Sequence, residues 1–237
     1  ALIVQPINHK FDHSYVIQSI KDHPTRFKGM LLHDPALSET DAIARVEDLC
    51  LKGFVGVRFN PYLWPKRESG GWESMSTGAG LAVYKRCAEL HMPVGIMCFQ
   101  GLQLHYNDIL TLLEASPNTN MILDHFGFTS FTDEGSAAFQ QLLKLAQHPQ
   151  VHVKISALFR LQASSYDKIK AERLEPLLES FGPDRLMFGS DFPFVMEQEE
   201  QYQGTVQIVQ DWLKTRDATF CSKVMSGTAE KLFGSWT

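Results

Sequence analysis

Cysteine is scarce in this chain and scattered. Cys50, Cys87, Cys98 and Cys221 have no Cys-x-x-Cys spacing. That excludes a disulfide frame and a zinc knuckle, and the four read as reduced core or surface thiols of an intracellular protein, cytoplasmic or organellar. No apolar run is long enough to span a bilayer, and no signal-peptide pattern is visible, so no membrane partner is expected. Basic stripes are missing too: the net charge is -5 and the pI is near 6.0, which argues against a nucleic-acid partner. The sequence contains no Gly-x-Ser-x-Gly elbow, no phosphate-cradling loop and no dinucleotide fingerprint, so serine-triad and nicotinamide chemistry are not expected. Low-complexity linkers and composition breaks are absent as well. One domain over residues 1–237 is the simplest organisation.

What is present is alternation. Short apolar runs at Leu2–Val4, Gly29–Leu32, Gly56–Phe59, Val94–Cys98, Met121–Leu123, Val151–Ile155 and Leu186–Phe188 read as strands. Between them apolar residues recur at helical spacing: Ile43, Val46, Leu49 and Cys50; Phe139, Leu142, Leu143 and Leu145; Val206, Val209 and Leu213. Asp41 or Thr40 can cap the helix before Ile43, and Gly53 can terminate it. Strand–helix–strand repetition predicts a parallel α/β sheet with right-handed crossovers. The 237 residues are close to the roughly 250 of a (β/α)8 TIM-like barrel. Seven runs leave such a barrel without its first strand. Because the first run starts at Leu2, the expectation is an N-terminally incomplete domain whose missing strand precedes Ala1. Its open edges would invite pairing with a second copy, as a homo-oligomer, or with a partner segment that closes the barrel.

Two strand ends carry chemistry. Leu186-Met187-Phe188 runs into Gly189-Ser190-Asp191-Phe192-Pro193, and Met121-Ile122-Leu123 runs into Asp124-His125-Phe126-Gly127. An acid and an imidazole at strand ends are what a parallel barrel uses to build a site on one rim. Asp191 can serve as a general base, hold a metal, or merely cap the following turn. His125 can polarise a carbonyl or shuttle a proton, or it can be a core histidine bonded to a backbone carbonyl. Asp124 should point to the other side of its strand and receives no catalytic role.

Arg58 and Asn60 share one strand face, and Arg58 offers a forked donor to a substrate carboxylate or lactone oxygen, or a partner to a rim acid. Tyr62 and Trp64 can wall the site or pack their loop. Ser156 ends a strand and can donate to substrate. His105 follows the Val94–Cys98 strand and can reach substrate, although a helix-surface position is the commoner case. His9 and His13 have i,i+4 spacing, which can chelate a metal if helical; a solvated loop is the alternative.

At Ile3-Val4-Gln5-Pro6, Gly56-Val57-Arg58-Phe59-Asn60, Leu123–Gly127, Val153-Lys154-Ile155-Ser156, Gly189–Pro193 and Gly227–Gly234 the chain resembles the amidohydrolase superfamily. The resemblance is to the amidohydrolase-related branch of sugar-lactone lactonase-like, metal-dependent TIM-barrel hydrolases. It implies that Asp191 activates the attacking water. It also implies a His-x-His on a first strand, holding a divalent metal such as zinc in the metal-dependent members. The fifth-strand histidine of many members is replaced here by Ile96-Met97-Cys98-Phe99, as befits relatives in the lactonase branch that work without a tightly held metal. If a metal is bound, Asp191 is its first expected ligand.

The leading expectation is hydrolysis of a small polar carbonyl substrate, a lactone or cyclic ester, with Asp191 and His125 catalytic. Arg58, Asn60, Tyr62, Ser156 and His105 would bind the substrate. A metal-dependent decarboxylase of the same superfamily is the alternative, and it would need a substitute such as His105. A non-catalytic barrel serving as an assembly subunit is the third.

Overall fold

A computed structural model describes residues 1–68 and 70–236. Seven strands follow one another in sequence order: β1 (Leu2–Val4), β2 (Lys28–Leu32), β3 (Phe54–Phe59), β4 (Val94–Ile96), β5 (Met121–Leu123), β6 (Val151–Ile155) and β7 (Leu186–Phe188). With helices between them, this is the repeat of a TIM-like barrel, one strand short. The chain divides into two compact units. One holds Ala1–Phe99, His105–Ile122 and the segment from Leu232; the other holds Gln100–Leu104 and Leu123–Lys231.

In the first unit β1, β2, β3 and β4 pair in parallel, with Val4 opposite Met30, Leu32 opposite Arg58 and Phe59 opposite Ile96. Parallel strands are covered on both faces, so they read as nearly continuous apolar runs. In β3 every residue except Val55 is buried. The strand starts at Phe54, two residues before the predicted Gly56. In the other direction β4 stops at Ile96 rather than Cys98, because the Phe99 N–H turns back onto the Met97 carbonyl at 2.8 Å.

The helices of this unit are α1 (Ser14–Asp22), α2 (Glu39–Leu51), α3 (Gly78–Glu89) and α4 (Tyr106–Ala115). Helix α2 buries Ala42, Val46 and Leu49, one stripe at helical spacing. Each large apolar side chain so buried contributes about 1.5–3 kcal/mol. Its cap is Ser38, whose Oγ accepts the Asp41 N–H at 3.1 Å, and not Asp41 or Thr40. The Asp41 carboxylate instead accepts the Ser38 hydroxyl at 2.7 Å from within the first turn, where an acid also suits the helix dipole. Gly53 follows with φ +94, the left-handed conformation expected of it.

In the second unit α5 (Asp133–Lys144), α6 (Tyr166–Ile169), α7 (Glu175–Phe181) and α8 (Gln201–Leu213) accompany β6 and β7. The two strands pair with Val153 opposite Leu186 and Ile155 opposite Phe188. Arg173 fixes the loop that follows His125. Its guanidinium donates to the Thr129 and Ser130 carbonyls, both at 3.1 Å, and lies 3.9 Å from the Phe131 ring centroid. The Phe131 N–H in turn donates to the Leu161 carbonyl at 2.8 Å. One buried arginine therefore orders the segment after β5 and, through Phe131, the segment after β6. All four cysteines are free thiols. Among the described residues no helix is long and apolar enough to cross a membrane.

Candidate active site

The strand ends of the second unit converge. β5 runs out into His125, β6 into Ser156 and β7 into Asp191. The His125 Nε2 lies 3.5 Å from Asp191 Oδ1, and its Nδ1 lies 2.7 Å from the Ser156 Oγ. His125 and Ser156 are buried, whereas the Asp191 side chain keeps 14% of its surface. Acid and imidazole thus face each other, and His125 is not a core histidine bonded only to backbone. The backbone is strained at the same places. His125, Ala157 (next to Ser156) and Asp191 have φ of 52, 51 and 56. Left-handed conformations cost non-glycine residues of order 1 kcal/mol each and tend to gather at functional sites.

Arg160, which sequence reasoning missed, completes the group. Its Nε donates to Asp191 Oδ2 at 3.0 Å. Its guanidinium carbon lies 5.0 Å from the Phe159 ring centroid and 5.3 Å from that of Phe194. The available signal was Phe159-Arg160-Leu161, a forked cation among apolar residues shortly beyond a strand end. Asp124 is fully buried and pairs with Lys154 Nζ at 2.7 Å. Lys154 stands two residues before Ser156 on the same strand face.

The polar residues singled out in the first unit form their own groups. The Asn60 Nδ2 donates to the Tyr62 hydroxyl at 3.0 Å, and Arg58 Nη1 contacts Met97 Sδ at 3.2 Å. Tyr62 lies 6.0 Å from Phe99 between ring centroids. Burial pushes its hydroxyl pKa up, opposed by the Arg58 charge. Trp64 packs its loop: it is buried and sits 5.3 Å from both His33 and Phe59. His105 precedes α4 and is buried rather than on the helix surface. It lies 6.4 Å from Trp72, and burial lowers its pKa against the pull of Asp108.

The His9–His13 pair divides between two tasks. His9 stacks on Tyr15 at 5.5 Å. His13 is buried, and its Nε2 accepts the Leu32 N–H at 3.1 Å. Neither one solvated loop nor a chelating helical turn describes them.

No three His, Cys, Asp or Glu side chains gather as a metal site among the described residues. At Asp191 the partners are one imidazole and a guanidinium, and the latter already covers Oδ2 with positive charge. This donor set does not by itself fit a divalent ion.

Comparison with known proteins agrees with this architecture. A 4-sulfomuconolactone hydrolase of Rhizobium radiobacter is 25% identical over 191 residues, covering 80% of this chain and 60% of that protein. An L-fucono-1,5-lactonase of Burkholderia multivorans is 32% identical over 127 residues, covering 48% of this chain and 42% of that protein. The chain therefore spans less than two thirds of these relatives. Among solved structures, a probable 2-pyrone-4,6-dicarboxylic acid hydrolase of Acinetobacter baumannii with citric acid bound superposes with a TM-score of 0.79 at 19% identity. That match covers 98% of this chain and 82% of the other. A 2,6-dihydroxybenzoate decarboxylase from Rhizobium reaches 0.65 at 16% identity, covering 93% and 75%. These two likenesses concern the fold. A family model described as amidohydrolase matches residues 2–235. Matched from its first strand to beyond its last helix, the chain belongs to the amidohydrolase family.

Proposed function

We propose that this chain carries the hydrolytic centre of an enzyme that opens a small polar lactone or cyclic ester. The observation that carries the reading is the Asp191 carboxylate held by Arg160 on one oxygen and faced by His125 on the other. Asp191 takes a proton from water as the water oxygen bonds to the acyl carbon. His125 donates from Nε2 to the oxygen on which negative charge develops. The tetrahedral adduct then collapses: the ring C–O bond breaks, and the leaving oxygen takes the proton that Asp191 held. A donor preplaced at the developing charge lowers a barrier by about 3 kcal/mol. An ester needs less such help than an amide, so two carefully placed side chains suit a lactone better than a peptide.

The likeness to a lactonase and a lactone hydrolase supports the same choice. A panel of sugar-acid lactones and unsaturated carboxy-lactones, followed by acid release, tests it. Turnover of at least one lactone, reduced by about 10²–10⁴ in Asp191→Asn, is the expected result. Turnover equal in the wild type and Asp191→Asn would overturn the assignment.

A further inference from the structure

We infer that Ser156 is a positioning residue that holds His125 in a single neutral tautomer, with the proton on Nε2. The inference deepens the proposed site, and its assignment of Nε2 as donor rests on that reading; the tautomer itself does not.

The argument is one of donor and acceptor counting. An ionised carboxylate only accepts hydrogen bonds. Asp191 Oδ1 stands 3.5 Å from His125 Nε2. A ring nitrogen presenting its lone pair there would be repelled, whereas one presenting N–H is attracted. In the neutral ring one nitrogen carries the proton and the other accepts. With the proton on Nε2, Nδ1 must accept, and the atom 2.7 Å from it is the Ser156 hydroxyl oxygen, which then donates. Ser156 thereby acts through His125, in place of the direct donation to substrate expected from the sequence.

The surroundings fix the hydroxyl where this requires it. Ser156 is 1% exposed. Gly189, across β6–β7, leaves space for it: a Cβ at position 189 would lie 3.3 Å from the Ser156 Cβ and 3.6 Å from its Oγ. A Cβ at 189 would be tight against the Ser156 Cβ, so Ser156 would have to give by a few tenths of an ångström, which strains its contact with Nδ1. This gives the glycine of the Gly189–Pro193 segment a physical reason that does not depend on its backbone conformation.

Nitrogen-15 NMR of the ¹⁵N-histidine-labelled chain at about pH 8, above the ordinary histidine pKa, reads the tautomer without substrate, with His125 assigned by comparison with His125→Gln. The expected wild-type spectrum has His125 neutral and protonated on Nε2. Ser156→Ala should move the tautomer ratio toward Nδ1–H by roughly tenfold, the equivalent of one hydrogen bond, with little change in thermal melting. Gly189→Ala should move it in the same direction. If Ser156→Ala fails to fold, the wild-type spectrum still decides. A wild-type ring protonated on Nδ1, or on both nitrogens, overturns the inference, as does an unchanged ratio in a folded Ser156→Ala. Lactone turnover is assayed separately: its absence beside an Nε2–H ring sinks the proposed function alone, whereas turnover beside an Nδ1–H ring sinks the tautomer and the Nε2 donation with it but leaves lactone hydrolysis standing.

Discussion

Arg160 grips Asp191 side-on, Nε to Oδ2 at 3.0 Å, while its guanidinium lies near the rings of Phe159 and Phe194. The aromatic neighbours restrict the fork, and the fork orients the carboxylate; under the proposed function the base is thereby aimed before substrate arrives. Such preorganisation has its effect in the transition state rather than in binding. Arg160→Lys keeps the charge but loses the planar fork and its match to a carboxylate. Under the proposed function it should lower kcat by roughly tenfold to a hundredfold, and Arg160→Met by more. Steady-state kinetics on a turned-over lactone checks this; a change confined to KM would show that Arg160 only holds substrate.

Asp124 and Lys154 make a different sort of pair. They stand at 2.7 Å, with Asp124 fully buried. Truncating one partner of a buried ion pair costs about 3–5 kcal/mol, whereas replacing both can be nearly neutral. Asp124→Asn and Lys154→Met should each lower stability by about that much. The double variant Asp124→Leu with Lys154→Met should recover most of it. Urea denaturation of the set measures the coupling, and strictly additive losses would mean the pair is not an energetic unit.

The strands were legible because parallel strands buried on both faces leave unbroken apolar runs: β1, β5, β6 and β7 have the bounds read from the sequence. Asp191 and His125 were legible because each interrupts such a run at its end. Arg160 was hidden because no periodic signal marks a loop arginine, and its importance comes from a contact with a residue far along the chain. The same holds for Lys154. A lysine inside an apolar run reads as an interruption until its partner, Asp124 just past the end of β5, is known. Ser38 was overlooked as a cap because Thr40 and Asp41 carry the same chemistry one turn position away, and only the backbone N–H geometry distinguishes them.

His33 carries the last prediction. It is 2% exposed, tilted against Phe59 and Trp64, and burial pushes its pKa down to about 4 from the ordinary 6.5. The unfolded chain therefore binds a proton at this residue between about pH 6.5 and 4 while the folded chain does not. Stability rises with pH across that window and is lost as pH falls through it, reaching about 3 kcal/mol for a shift of this size. His13, also lowered to about 4 by burial with Arg45 adding to the effect, acts in the same direction. Phenylalanine cannot take up the proton. His33→Phe puts a somewhat larger apolar ring into a packed site, so it should cost about 1–3 kcal/mol by overpacking, and it should flatten the acid slope by close to one proton. Denaturant midpoints at a series of pH values from neutral to about 4.5 measure both. An unchanged slope in the variant would mean that His33 is already protonated in the folded chain.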